Sequence, residues 1–213
     1  SLIFLVNGLD HLQHLGIDVL LIGTAVDGGV AGTGGIDIAE LPGIHADLLS
    51  QHINDLEWMS DETKKVAPWE ITRVPGDGLI FIAADPSKIA AASGELLKFE
   101  GKYGAAWYAF DESKENRKIN ADGKGWLAYT NNGLLLVKKF ADLAPSQPAP
   151  DEAEIQVYVN EGKTFIELES QGAYTDLKPH ESLNYTVRWY LVPQPKDPVP
   201  SKKLLNTVKK LVK

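Results

Sequence analysis

The sequence has no cysteine, which excludes disulfide bonds and metal sites built on thiolates. It has no apolar run close to the roughly 18 residues that a membrane-spanning helix needs. The first residues, 1–6, are apolar but lack the basic n-region of a signal peptide. The chain also begins without an initiator methionine, as expected of a mature or trimmed product. The compartment stays open on these grounds, and a periplasmic or secreted location is favoured over a cytoplasmic one.

The chain also lacks the positive charge of a nucleic-acid-binding protein. Its 213 residues carry a net charge of −8, and an acidic body does not attract phosphate backbones. We therefore predict no nucleic-acid partner. The charge is uneven, because the last dozen residues hold five lysines and leave −13 on the rest of the chain: Lys202, Lys203, Lys209, Lys210 and Lys213.

Sequence patterns for nucleotide, metal and acyl-transfer chemistry are absent as well. The glycine-rich run 28–35 contains neither a dinucleotide-binding nor a phosphate-loop pattern. His11 with His14, and His45 with His52, have the spacing of one helical face, but no third ligand accompanies them. No Gly-x-Ser-x-Gly elbow is present. We predict neither a cofactor nor a metal site.

What is present is a series of short apolar stretches separated by turns, with no alternating helices. Asn131-Asn132-Gly133 lies between two of them and is typical of a β-hairpin, because both central residues of its turn need positive φ. The stretch 44–58 has the apolar spacing of a helix, although 55–58 could equally be a strand, and 141–153 resembles a linker with three prolines. The predicted strands, about eight in number, are 66–74, 79–83, 105–110, 126–130, 134–140, 155–159, 165–170 and 183–191.

This pattern predicts an all-β, antiparallel β-sandwich forming a single domain over 1–213. Its N-terminal part, 1–60, is harder to interpret, although 2–6 and 19–22 have the apolar character of buried strands. The segment 201–213 has the apolar spacing of an amphipathic helix, with Ser201 as a plausible N-cap. We favour a helix that packs on the sandwich over one that attaches to an anionic membrane surface.

The segment 165–174 contains the best candidates for ligand chemistry. In a strand, Glu167, Glu169 and Gln171 share one face with Phe165, opposite Ile166 and Leu168. Carboxylates accept hydrogen bonds from sugar hydroxyls, and an aromatic ring covers the apolar face of a pyranose. Two nearby carboxylates also favour acid–base work if they are partly buried. The alternative is the solvated outer face of an edge strand.

A second candidate strand contains Trp69, Glu70 and Arg73. Glu70 and Thr72 share one face, while Trp69 and Arg73 share the other, so a regular strand cannot present Glu70 and Arg73 together unless a bulge near Pro68 intervenes. Arg73 is suited to an acidic or hydroxyl-rich ligand. The alternative is a surface ion pair with Trp69 in the core.

Several of these motifs, taken in order, resemble the end of an aldose 1-epimerase. They are Leu-Glu-Ser-Gln at 168–171, Tyr-Thr-Asp at 174–176, Leu-Lys-Pro-His-Glu at 177–181 and the strand 186–191. The resemblance implies a galactose mutarotase-like supersandwich in which Glu169 is the catalytic base that takes the proton of the anomeric hydroxyl. Val74 stands where these enzymes carry their general-acid histidine.

The sequence is more similar still to an uncharacterised bacterial family, a domain of unknown function with the same type of sandwich. That likeness is carried by Ala-Pro-Trp-Glu-Ile-Thr-Arg-Val at 67–74 and Glu-Leu-Glu-Ser-Gln-Gly-Ala-Tyr-Thr at 167–175, and extends over 64–195. It implies a protein that binds a sugar or an oligosaccharide, with Glu167, Gln171, Tyr174, Trp69, Glu70 and Arg73 as candidate ligand-binding residues.

Three hypotheses follow. The first is a carbohydrate-binding or carbohydrate-processing sandwich, in its simplest form without chemistry of its own. The second is an aldose epimerase-like enzyme with Glu169 as base and a non-histidine acid such as Tyr174. The third is a structural or partner-binding module. Whether the chain is an enzyme, which sugar it prefers and its oligomeric state stay open.

Overall fold

The structure is a computed structural model that describes the strands at 17–21 and 49–53 and residues 63–112, 114–179, 181, 183–194 and 198–213. The described part contains fifteen strands and the helix α1 (Lys202–Leu211). The strands are β1 (Ile17–Leu21), β2 (Leu49–Ile53), β3 (Lys64–Val66), β4 (Trp69–Pro75), β5 (Leu79–Ile82), β6 (Ala90–Ser93), β7 (Glu100–Lys102), β8 (Ala105–Ala109), β9 (Arg117–Ala121), β10 (Trp126–Asn131), β11 (Leu134–Lys139), β12 (Ile155–Val159), β13 (Phe165–Gln171), β14 (Thr175–Leu177) and β15 (Leu183–Pro193).

These strands form two large antiparallel sheets. The larger sheet has eight strands in the order β1-β2-β15-β11-β10-β5-β8-β7, and the second has five in the order β4-β13-β12-β9-β6. β3 and β14 pair separately as a short ribbon. The all-β sandwich with a C-terminal helix that the sequence predicts is therefore confirmed.

The main core lies between the eight-stranded and five-stranded sheets and follows from the two-residue periodicity of the strands. Ile166 and Leu168 of β13 and Val157 of β12 are fully buried there, whereas their sequence neighbours face outward. Burying an aliphatic side chain of this size stabilises the fold by about 1.5–3 kcal/mol. The facing sheet contributes large apolar side chains that include Ile80, Ile82, Tyr108, Leu127, Tyr129, Leu136, Val187 and Leu191.

A second apolar layer lies on the other side of the eight-stranded sheet, under α1. Leu204, Leu205 and Val208 are buried against this sheet, where Phe81 and Trp107 stack with ring centroids 4.4 Å apart. The hydroxyl of Ser201 accepts a hydrogen bond from the Leu204 amide at 3.2 Å and caps the helix as predicted. The apolar stripe of α1 is thus used for packing within the protein. Over the described ranges, no helix has the length and apolar character needed to cross a membrane.

Two-residue turns close two hairpins of the eight-stranded sheet. β10 and β11 are joined at Asn132 (φ 47°) and Gly133 (φ 84°), where the sequence predicts a hairpin. β7 and β8 are joined at Tyr103 (φ 58°) and Gly104 (φ 78°). Both residues of each turn have left-handed φ, which matches the twist of the flanking strands.

The structure differs from the sequence predictions in several elements. The predicted strand 66–74 is divided at Pro68 into β3 and β4, and β4 lies at the end of its sheet's strand order, a position where proline is tolerated. The helix-like interpretation of 44–58 is wrong for 49–53, because this segment pairs with β1 and β15 as the strand β2. The predicted strand 19–22 overlaps β1. The predictions for 2–6 and for the histidine pair His11 and His14 fall outside the described residues. The strands β6, β7, β9 and β14 were not predicted.

Candidate functional site

The outer face of the five-stranded sheet gathers most of the residues that the sequence singles out. In the pairing of β13 with β4, Glu167 lies opposite Arg73, and Gln171 lies opposite Trp69. Glu169 lies opposite Ile71. These side chains point away from the core because their neighbours Ile166 and Leu168 point into it. We call this surface the outer face.

Glu169 is buried although it lies on the outer face, with only 1% of its side chain exposed. Lys118 of β9 reaches across β12 and donates to Glu169 Oε2 at 2.9 Å. The Lys118 ammonium also lies 5.0 Å from the centroid of the Trp69 ring. Burial raises the pKa of the Glu169 carboxyl, and the hydrogen bond and charge of Lys118 oppose that increase.

A second ion pair lies further along the same face. Arg73 donates from Nε and Nη2 to Glu167 Oε1, at 3.1 and 2.6 Å. The guanidinium lies 4.1 Å from the centroid of the Phe165 ring, which orients it by a cation–π contact. Both side chains of the pair are partly exposed. This pair can therefore be approached from solvent, whereas the Glu169 carboxylate is covered.

The loop 144–153 borders the outer face at the Gln171 end of β13. Gln171 Oε1 accepts a hydrogen bond from the Ala149 amide at 2.9 Å, and its Nε2 donates to Glu152. Asn120 of β9 donates to the Asp151 carbonyl at 2.8 Å. These contacts fix the loop as a wall of the site and leave the Gln171 side chain buried and engaged.

Glu70 does not belong to the outer face. Its carboxylate lies between the two large sheets, where Oε1 accepts from the Thr72 hydroxyl at 2.7 Å and Oε2 forms an ion pair with Lys138. The Lys138 ammonium also donates to the Leu168 carbonyl at 2.6 Å, directly behind Glu169 on β13. Burial lowers the pKa of Lys138, and Glu70 opposes this decrease. Glu70 and Arg73 therefore lie on opposite faces of β4, as the alternation of side chains along a regular strand predicts, and no bulge brings them together.

Tyr174 follows β13 and lies partly exposed beside the β3–β14 ribbon, with its ring centroid 5.6 Å from Lys65 Nζ. Its amide donates to the Gln147 carbonyl at 2.7 Å, which attaches it to the loop 144–153. Tyr174 is thus placed at the border of the outer face. No hydrogen bond joins its side chain to Glu169.

Comparison with known proteins does not assign the site. No family model matches the chain, and no curated protein matches it significantly. Among the residues that the structure describes, no group of three or more histidine and acidic side chains could hold a metal ion. The chemistry of the outer face is therefore that of its own ion pairs, amides and aromatic rings.

The structure adds residues to the site that the sequence analysis missed. Lys118, Gln156 and Tyr158 also point outward, because Gln156 lies opposite Glu169 and Tyr158 lies opposite both Glu167 and Lys118. Sequence signals for them existed. Polar and apolar residues alternate over 118–121, as they do in β12, and this alternation predicts one solvent-facing side.

Proposed function

We propose that the protein binds carbohydrate on the outer face of the five-stranded sheet. The observation that supports this is the position of Trp69, whose side chain is 41% exposed on a sheet face that also presents two ion-paired carboxylates. An indole ring covers the apolar face of a pyranose. The sugar hydroxyls can donate hydrogen bonds to carboxylates and accept them from guanidinium or ammonium groups. Lys118 provides an ammonium group beside the ring, and Arg73 and Glu167 provide a guanidinium and a carboxylate further along the same face.

Binding without chemistry fits the state of Glu169 better than catalysis does. A general base must come within hydrogen-bond distance of the proton that it takes. Glu169 is almost fully covered and already engaged by Lys118. Val74, at the position where the aldose 1-epimerases carry a histidine, points into the core on the opposite face of β4. A side chain at position 74 therefore cannot act together with Glu169 on one ligand.

One observation favours epimerase-like chemistry as the second candidate. The raised pKa of Glu169, which burial causes, is the type of perturbation found in catalytic carboxyls. In that mechanism a sugar would displace the Lys118 contact and Glu169 would take the anomeric proton. Polarimetry of α- and β-hexoses tests it. Anomer interconversion that Glu169→Gln abolishes would support catalysis, and no acceleration by the wild-type protein would reject it.

The binding proposal is tested by calorimetry with a panel of neutral oligosaccharides. We expect Trp69→Ala to raise the dissociation constant at least about tenfold, because the stacking surface is removed. This corresponds to a loss of about 1.4 kcal/mol in the free energy of binding. Trp69→Phe retains a ring and should keep part of the affinity. Leu96→Ala is the matched control, since Leu96 is exposed to a similar degree, 46%, in the loop between β6 and β7. Equal affinity of Trp69→Ala and wild type would refute the proposal.

A further inference from the structure

A separate groove lies at the β7 edge of the eight-stranded sheet. It is an open groove of about 480 Å³, bordered by the turn 83–86, the β7–β8 hairpin and Lys124. This volume lies in the usual range for small-ligand sites, about 300–1,000 Å³. Trp107 Nε1 donates to the Lys102 carbonyl at 2.8 Å and fixes the hairpin wall.

The tip of this hairpin has a residue that the turn itself does not explain. Tyr103 occupies a left-handed position, φ 58°, which asparagine and glycine adopt far more readily than a bulky residue does. The equivalent turn between β10 and β11 has Asn132 there. Tyr103 is 47% exposed, and Lys202 Nζ lies 5.9 Å from the centroid of its ring. The strain thus displays an aromatic ring to solvent at the mouth of the groove.

Charged groups surround this ring. Lys124 and Lys202 are exposed, and no described carboxylate lies within salt-bridge distance of either. Lys102 pairs with Glu100 at 2.8 Å. Asp85 lines the groove and is exposed, and the Ser87 amide and hydroxyl donate to its Oδ1 at 3.0 and 2.8 Å. The groove therefore combines free cations, one fixed carboxylate and an aromatic surface in a protein whose net charge is −8.

We propose that this groove binds the acidic sugar unit of a uronic-acid-containing glycan. The pyranose ring lies on Tyr103, its carboxylate pairs with Lys124 and Lys202, and its hydroxyls donate to Asp85. A ring that has an apolar C–H face, hydroxyl groups and a carboxylate uses all three features together. This site is independent of the outer face, because its residues come from the opposite sheet and from α1.

Other polyanions fit less well. A membrane surface would need an apolar face to bury, and the apolar stripe of α1 already packs against Phe81 and Trp107. A nucleic acid would meet the strong negative charge of the remaining molecule. A single sugar unit interacts only with the local charge, which is positive at Lys124 and Lys202.

Calorimetry with trigalacturonate, compared with a neutral galactose trisaccharide, tests the proposal. We expect wild type to bind trigalacturonate at least about tenfold more tightly than the neutral trisaccharide, and to lose affinity as salt is raised. Tyr103→Asn should weaken binding about tenfold while its melting temperature stays equal or rises, since asparagine suits the turn. Lys124→Gln should weaken binding and reduce its salt dependence.

The outcomes separate the two sites. Trp69→Ala, on the outer face, should leave trigalacturonate binding unchanged. Tyr103→Asn that binds like wild type, equal affinity for the neutral trisaccharide, or no binding of trigalacturonate at millimolar concentration would each overturn the groove assignment. If Trp69→Ala alone abolishes binding, the outer-face proposal stands and the groove proposal falls.

Discussion

The two faces of β13 and its neighbour β4 hold ion pairs of the same chemistry in opposite environments. On the inner face, Lys138 and Glu70 are both buried between the sheets, with 0% and 3% of their side chains exposed. On the outer face, Arg73 and Glu167 are 39% and 18% exposed. Lys118 and Glu169 are intermediate, with a partly exposed lysine over a buried carboxylate. All three pairs join Lys or Arg to Glu, so the main difference between them is how deeply they are buried.

Burial changes what each pair can contribute. Removing two charges from water costs several kcal/mol per ion, and their attraction repays this only when further hydrogen bonds are satisfied. The inner pair has such bonds, from the Thr72 hydroxyl to Glu70 and from Lys138 to the Leu168 carbonyl. It therefore specifies how the two sheets align more than it adds net stability. On the outer face, the partly exposed Arg73–Glu167 pair remains available to a ligand.

Breaking the inner pair, Lys138 with Glu70, should give the largest loss of stability. Lys138→Met leaves the Glu70 carboxylate buried with its charge uncompensated, so we expect the free energy of unfolding to fall by about 3–5 kcal/mol. Urea denaturation followed by far-UV circular dichroism measures it. The double variant Lys138→Met with Glu70→Met removes both charges and should recover most of the loss. A single variant as stable as wild type would show that the pair is not desolvated.

Breaking the intermediate pair should give a smaller, pH-dependent effect. In Lys118→Met the buried Glu169 carboxylate loses its partner, which costs about 1–3 kcal/mol when the group is ionised. Because burial already raises the pKa of Glu169 and Lys118 opposes this, the variant raises that pKa further. A raised folded-state pKa gives stability that is present in acid and lost as the pH rises through it.

Unfolding free energies of wild type and Lys118→Met should therefore be close below about pH 4, where the carboxyl is protonated in both states. The difference should grow toward pH 8. Adding Glu169→Gln to Lys118→Met supplies the control, since it removes the titrating group and should abolish the pH-dependent part. A difference that is constant from pH 4 to pH 8 would contradict an ion pair at Glu169.

Breaking the most exposed pair should give the smallest effect on stability. Arg73→Ala removes a solvent-screened ion pair, so we expect a change below about 1 kcal/mol that shrinks further in 1 M salt. Thermal unfolding at low and high ionic strength measures it. Ligand binding on the outer face should fall much more than stability does. A loss of several kcal/mol that is insensitive to salt would instead place Arg73 among the buried charges.

Strands in which polar and apolar residues alternate clearly could be predicted from the sequence, whereas strands without this alternation could not. β12 begins and ends at the predicted residues, and the Asn132-Gly133 hairpin lies as expected. β6, which is Ala-Ala-Ala-Ser, and β7, which is Glu-Gly-Lys, are exposed throughout and have no apolar face to detect. They are strands because β9 and β8 supply hydrogen-bond partners. That information is tertiary and does not appear in a local pattern.

The candidate site divides in the same way. Alternation alone places Glu167, Glu169 and Gln171 on one face of a strand. It cannot show that Lys118, 51 residues earlier, lies over Glu169, because that contact depends on the order β13-β12-β9 in the sheet. It also cannot tell that the carboxylate is covered. The sequence therefore predicts which side chains of one strand share a face, but not which side chains of other strands contact them.

The position of α1 has a consequence for how this protein is made. The strands of the eight-stranded sheet that α1 covers are all synthesised before it. Phe81, Trp107 and Trp126 therefore leave the ribosome before the helix that buries them. A nascent chain carries this aromatic surface open to chaperones until residues 202–211 emerge. The docking of one ten-residue helix then closes it, and a stalled or prematurely released chain would be the form most prone to aggregate.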